Sequence, residues 1–324
     1  MPALNRAALG VAVLTLSLSA CSADDAEPTW FDQDPLAELP ADIDELGLFR
    51  VANDWDTVAE GVVGYSPVHP LWSSGSVKRR HVFVPRDGDV GRDGDAFTFP
   101  PGTLLFKTFL YPDGSEDLVP VETRVMRMDA DARWEYAVYQ WEDPQTATLI
   151  DTTLETPATR PDGGTHTIPA TLECRGCHES ADSEALGWDD IQLADAFTAL
   201  VDEGVLDESD VAPARIEADD DLTAAVLGDL YANCVHCHNG TDGPSSAFDL
   251  RPDAALGNMI DVETESSATA SGIRVVPGSP EDSILFLALS RETDDPEVKE
   301  MPPVGIDELD RDSIERMRTW IQSL

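Results

Sequence analysis

The chain has 324 residues, room for two domains or one large one, and 63 acidic residues stand against 21 basic ones for a net charge of −42. Only three lysines occur, Lys78, Lys107 and Lys299. This balance argues against nucleic acid, and against charge-driven binding to an anionic membrane surface; it fits a solubilising acidic surface or a docking face for a basic partner.

In chain order, the first element is a processing signal. Arg6 supplies a short positive stretch, and Ala7 to Leu18 form an apolar run too short to span a bilayer. "LSAC", Leu18 to Cys21, resembles a bacterial lipobox, which makes residues 1–21 a lipoprotein signal peptide and Cys21 the lipidated residue. The mature protein is then expected to be exported and lipid-anchored to the cell membrane or outer membrane, facing the periplasm. Residues 22–45 are rich in Asp, Glu and Pro with little periodicity and read as an acidic tether.

From about residue 46 the signals are those of strands. "HVFVP", "FTFPPGTLLFKTFLYP", "VETRVMRM" and "WEYAVYQW" are β-branched and aromatic, with Asp-Gly turns between them. In "LLFKTF", alternation puts Leu105, Lys107 and Phe109 on one face, so Lys107 is flanked by apolar side chains. Asp87, Asp89, Asp93 and Asp95 lack the spacing of a calcium loop and read as acidic hairpin turns.

After Pro169 the pattern becomes helical. "DDIQLADAFTALV", "DLTAAVLGDLYANC" and "LDRDSIERMRTWIQSL" each carry an apolar face at helical spacing, the last with Asp310 as its N-cap. Within this part lie "ECRGCHES" and "NCVHCHNG", each holding Cys-x-x-Cys-His. That is the attachment signature of c-type haem: two cysteines bond the porphyrin, and the next His ligates iron. Cys174, Cys177 and His178 form the first set; Cys234, Cys237 and His238 form the second. The rivals are a redox Cys-x-x-Cys, which needs no adjacent His, and a structural zinc on the four cysteines. The five cysteines are used up by lipidation at Cys21 and two covalently bound haems c. His236, inside the second motif, reads as a surface or propionate-contacting residue. Candidates for the far side of the first iron are His69, His81, His166, Met126 and Met128.

Residues from about 211 resemble a class I cytochrome c domain, through the helix ending in "NCVHCH", "VVPGSPEDSILF", "EMPPVG" and the final helix. The resemblance implies that Met301 is the second axial ligand of the second iron, with Met259 the runner-up. A His/Met iron is closed to substrate and carries electrons. "FPPGTLLFKTF", "RWEYAVY" and "IPATLECRGCHES" are similar to cytochrome c′-beta and the lysine-crosslinked hydroxylamine-oxidising cytochromes. That resemblance implies a place near the first haem for Lys107, which occupies the position of the crosslinking lysine. The order of "PLWSSGSVKRR", "FPPGTLLFKTF", "ECRGCH", "ALG" and "MPP" also resembles a family of exported dihaem cytochromes.

The expected fold is therefore α+β and multi-domain: a β-rich haem domain over 46–210, followed by an all-α class I cytochrome c-like domain over 211–324. The expected function is a membrane-anchored dihaem cytochrome that passes electrons between redox protein partners. The alternative is a small-molecule redox enzyme or gas sensor with an open first haem, for nitric oxide, hydroxylamine or peroxide.

Overall fold

The computed structural model describes residues 30–324 except 33, 35, 116, 182, 242–247, 265–268 and 304. The signal peptide and Cys21 lie outside the described residues. In chain order the strands are β1 (Phe49–Val51), β2 (Asp54–Val58), β3 (Val62–Tyr65), β4 (Val77–Phe83), β5 (Gly91–Asp93), β6 (Ala96–Thr98), β7 (Leu104–Pro112), β8 (Leu118–Met128), β9 (Trp134–Asp143), β10 (Thr146–Leu149), β11 (Thr156–Thr159) and β12 (Thr165–Ile168). The helices are α1 (Thr171–His178), α2 (Phe197–Asp202), α3 (Asp221–Asn233), α4 (Ala255–Met259), α5 (Ile284–Ser290) and α6 (Arg311–Ser323).

Six strands form one antiparallel sheet in the order β10-β9-β8-β7-β4-β3. Its longest members are the β-branched and aromatic runs legible in the sequence. The turn into β7 is set by "PPGT". Gly102 takes φ +85°, and the Thr103 amide donates to the Pro100 carbonyl at 3.1 Å, a type II turn with Pro and Gly where that turn needs them. Of the acidic residues expected in hairpin turns, Asp93 and Asp95 lie in the β5–β6 hairpin, whose turn has Gly94 at φ +62°, while Asp87 and Asp89 precede it.

Alternation divides the sheet's two faces. Leu104, Phe106, Val125, Tyr139 and Trp141 point to one side and pack on Trp30, Phe31, Ile43, Leu46, Leu48 and Trp55. Residues 30–45 were expected in the tether; Trp30, Phe31 and Ile43 instead are buried in this core. Their apolar side chains, each worth roughly 1.5–3 kcal/mol when fully buried, outweigh the acidic composition around them. On the other face, Val63, Val82, Leu105 and Met126 pack on Trp188, Leu193, Phe197 and Leu200. Next to this second core the same face borders a large cavity.

The chain from 211 onward is not the all-α class I cytochrome c-like domain expected of it. Among the described residues it holds α3, α4, α5, α6 and a 3-10 turn, Pro280–Asp282, joined by long irregular segments. Isolated bridges tie these segments together: Asn239 to Asp249, Ile260 to Val275, Glu263 to Ile273 and Ile273 to Ser283. The reason is compositional. Helical periodicity holds over α3 and α6, 13 residues each; the Pro-, Gly- and Asp-rich stretches between them have no continuous apolar face to bury. The protein is β-rich with short helices. α2 is likewise shorter than its periodic segment, covering only six residues.

α3 and α6 pack on each other around Val226, Leu230, Ile314, Met317, Trp320 and Ile321. Trp320 donates to Thr223 Oγ1 at 3.2 Å, and Arg316 pairs with Asp229 at 2.7 Å. "PLWSSG" stitches this region to the sheet: the Trp72 amide donates to Asn233 Oδ1 at 2.7 Å, Trp72 Nε1 to the Glu308 carbonyl at 2.7 Å, and the Asp307 amide to Ser74 Oγ at 2.8 Å. Among the described residues no helix is long and apolar enough to cross a membrane.

Candidate functional site

α1 carries Cys174, Cys177 and His178, three- and four-residue spacings that share one helical face. Its start is fixed by Glu173, whose carboxylate accepts from the Ala170 amide at 2.9 Å, and by the Thr171 amide donating to the Thr152 carbonyl at 2.8 Å. α1 packs on β9, which brings the His178 ring to 5.5 Å from that of Tyr136. His178 Nδ1 lies 2.6 Å from the Glu184 carbonyl. A carbonyl only accepts, so Nδ1 carries the proton and Nε2 keeps its lone pair, the arrangement of a metal-ligating imidazole. Burial, with Lys107, Arg124 and His236 nearby, pushes His178 down to about 4 against the bond to Glu184. The ring is therefore neutral at pH 7, as a ligand must be.

Cys174, Cys177 and His178 line a cavity of about 520 Å³ between the sheet, α1 and the C-terminal region. That volume lies in the range of small-molecule and cofactor sites. Tyr65, Arg80, Lys107, Arg124, Met126, Tyr136 and Val138 form its sheet wall. Lys107 faces this cavity, on the side it shares with Leu105 and Phe109 as alternation required; its Nζ stands 5.0 Å from the Phe109 ring centroid. Burial first, then the like charges of Arg80, Arg124 and Lys78, hold Lys107 well below the usual lysine range, with Glu122 opposing.

One end of the wall is a buried polar network. Glu122 Oε1 accepts from Arg124 Nε at 2.9 Å and from His166 Nε2 at 2.8 Å, and the Tyr111 hydroxyl is hydrogen-bonded to His166 Nδ1 at 2.9 Å. Burial raises the Glu122 pKa, but Arg124 and the His166 bond outweigh it and leave the carboxyl lowered. Both His166 nitrogens are thus engaged, which removes His166 as a distal ligand. His81 is removed by topology: it packs against Phe49 on the opposite face of the sheet. Met128 is buried in the second core, while Met126 and His69 do line the cavity.

The second motif follows the C-terminal end of α3. The Cys237 and His238 amides both donate to the Cys234 carbonyl, at 3.0 and 2.8 Å, which continues the helix by one tight turn. The His238 ring stands 5.2 Å from that of Phe248, and its Nδ1 is buried without a hydrogen-bond partner among the described residues. Burial, then His236 and Arg274, lower its pKa, so this imidazole is also neutral. Cys234 and Met301 line a second cavity of about 60 Å³, which His238 does not border. Met301 is half-buried against Ala270, Ala288 and Val298, whereas Met259 is sealed in the α3–α6 core. The first motif thus has a space of cofactor size. The second has two of its expected attachment and ligand residues on a space smaller than a porphyrin.

Spacing did not announce that the two motifs meet. Cys177, His236 and Cys237 place their ligand atoms within 4.8 Å of one another. The Asn239 amide group donates to the Ser180 carbonyl at 2.9 Å and holds the contact from the side. Both thiols are free, and the hydrogen bond between them splits their acidities: it raises Cys177 to about 12, with burial adding and His236 opposing, and lowers Cys237 to about 7. His236, read as peripheral, is central to this junction; its only signal in the sequence was its place inside the second Cys-x-x-Cys.

Compared with known proteins, the chain matches no family model, no curated protein and no solved structure.

Proposed function

We propose that the protein is an exported c-type cytochrome, held to a membrane through lipidated Cys21, that carries two covalent haems and passes electrons between redox protein partners. The observation that carries the reading is the first motif: Cys174, Cys177 and a neutral His178 with its Nδ1 tied back all open onto one cavity of about 520 Å³. There the cysteines would form the thioethers and His178 Nε2 would bind iron. A bound haem supplies reversible one-electron chemistry at its iron. The chain's own contribution is to fix the imidazole through Glu184, to keep water from the apolar wall of Met126 and Val138, and to set the two motifs side by side. That juxtaposition favours a relay: Cys177 and Cys237, one from each motif, lie within 4.8 Å of each other at their sulfurs. Cys234, Cys237 and His238 would hold the second haem, with Met301 as axial ligand because it shares a cavity with Cys234. A haem there requires the 60 Å³ space to open.

A second reading is favoured by the same junction. Cys177, His236 and Cys237 are a thiol–imidazole–thiol set suited to zinc or a similar soft metal. It competes with the first reading for both cysteines. The deciding experiment is a pyridine haemochrome count with metal analysis on protein made where haem can be attached. Two haems per chain, falling to one in the Cys174→Ala/Cys177→Ala variant, is the expected result. Zinc at one per chain with no haemochrome overturns it in favour of the metal centre.

A further inference from the structure

The cavity wall carries a feature that neither haem attachment nor electron transfer requires. Strand register places Val138, Arg124, Lys107, Arg80 and Tyr65 directly opposite one another across β9, β8, β7, β4 and β3. The three middle members are basic side chains on adjacent strands, and all three line the cavity. Neighbouring strands lie roughly 4.8 Å apart, so three donor groups stand in a row on one wall, close enough for adjacent members to share one small anion, whose charge would in turn favour the protonated form of Lys107.

In a chain of net charge −42 with three lysines, this placement is against the odds. Lys107 is in the row, and Lys78 stands two residues from Arg80 on the same strand. Like charges directly opposite across a sheet destabilise it. Their compensation here is incomplete. Glu122 is committed to Arg124 and His166. Lys78 donates to the Leu71 carbonyl at 2.9 Å. Among the described residues, the side chains of Arg80 and Lys107 form no hydrogen bond or ion pair, Lys107 having only the face of Phe109, although Asp95, Glu155, Glu173, Asp189 and Asp307 border the same cavity. Burial lowers the Arg80 pKa first, with the Tyr65 hydroxyl the one group opposing. Two side chains with open donors, aimed into an enclosed space, describe a site for negative charge.

We propose that the row Arg80–Lys107–Arg124 is an anion site, holding a carboxylate or a like-sized oxyanion against the sheet wall of the cavity. The anion comes from one of two sources with the same chemistry: a propionate of the first haem, or a free small anion. The propionate source rests on the haem reading above; the row itself does not.

The test begins by counting haem on the full-length protein, so that the haem reading is judged first and separately. Inorganic phosphate is then titrated calorimetrically at fixed ionic strength into wild type and into Arg80→Gln and Lys107→Gln. Thermal unfolding of each variant confirms that it is folded. One phosphate per wild-type chain, weakened about tenfold or more in each variant, establishes the site with a free anion as its occupant. With haem present and no phosphate heat, the propionate source predicts a different result. The first-haem potential, flat with pH in wild type, gains a slope in the mildly acidic range in both variants as the released propionate titrates. No phosphate heat in wild type together with no new slope in either variant overturns the proposal. If the count finds no haem, phosphate binding alone decides it, and its absence overturns the row.

Discussion

The sheet region and the chain after it place the same five-residue motif by different means. In the first, register does the positioning. β7, β8 and β9 fix which side chains share a row, α1 lies against β9, and a cavity of about 520 Å³ is left open beside Cys174, Cys177 and His178. In the second, the motif follows a helix end, and its neighbours come from irregular chain pinned by isolated bridges. Cys234 and Met301 meet there on only about 60 Å³. A regular ladder holds its shape around a vacant volume because its backbone bonds are internal to the sheet. Irregular chain held by side-chain packing closes over such a volume instead, since every unfilled space forfeits contacts.

The strongest way to break the comparison is to attack the sheet wall at Glu122. This carboxylate is fully buried and is the counter-charge for Arg124 and a partner of His166. Glu122→Ala leaves a buried guanidinium and an imidazole without it, a loss of about 3–5 kcal/mol. Denaturant unfolding measures this, and hydrogen exchange locates it: protection should fall across β7, β8 and β9 while α3 and α6 keep theirs. Equal loss in both regions would mean that the two do not differ in how they are held.

A second prediction uses pH. His81 is 2% exposed, and its Nδ1 has no hydrogen-bond partner among the described residues. Burial, with Arg79 adding to it and Asp56 and the Trp55 backbone opposing, pushes it down to about 4. Its unfolded value is about 6.5. As pH falls through about 6.5 the unfolded chain takes up a proton that the folded chain refuses until about 4. Stability is therefore whole above about pH 6.5 and declines by about 3 kcal/mol by pH 4. His81→Phe should flatten that part of the curve, read as the difference in unfolding free energy between the two proteins at pH 7 and pH 4.5. An unchanged difference would show that His81 is not buried neutral.

How much of this was legible in the sequence follows the same division. In "LLFKTF" the two-residue period was enough to put Lys107 on the face of Leu105 and Phe109, but not to show that this face borders a cavity. It was not enough to show that Arg80 and Arg124 stand beside it, since register between strands is decided by pairing and not by local spacing. The Cys-x-x-Cys-His motifs could be read singly; the meeting of Cys177 with Cys237 and His236 depends on contacts between residues about 60 positions apart, of which Asn239 to Ser180 is one. His81 and His166 looked alike as spare histidines. Strand parity put one on the wrong face, and Glu122 with Tyr111 occupied the other. In the C-terminal region the apolar stripes of α3 and α6 were correct, but an all-α domain was read across the Pro- and Gly-rich stretches between them. Trp30 and Phe31 reached the core from a segment whose average composition pointed to solvent.

The smallest expected effect tests whether the C-terminal region rests on its two long helices. Asp310 is the N-cap of α6, accepting from the Ser313 amide at 3.0 Å, and it borders the small cavity shared by Cys234 and Met301. Asp310→Ala removes that bond and the favourable charge at the helix start, about 1 kcal/mol. Asp310→Asn keeps an acceptor and should recover most of it. If α6 is what holds the second site closed, the alanine variant will also lose exchange protection at the α3–α6 contact around Met317 and Trp320, with the sheet unaffected. Loss of stability without loss of protection there would instead assign the closure to the irregular segments carrying Met301 and Ile306.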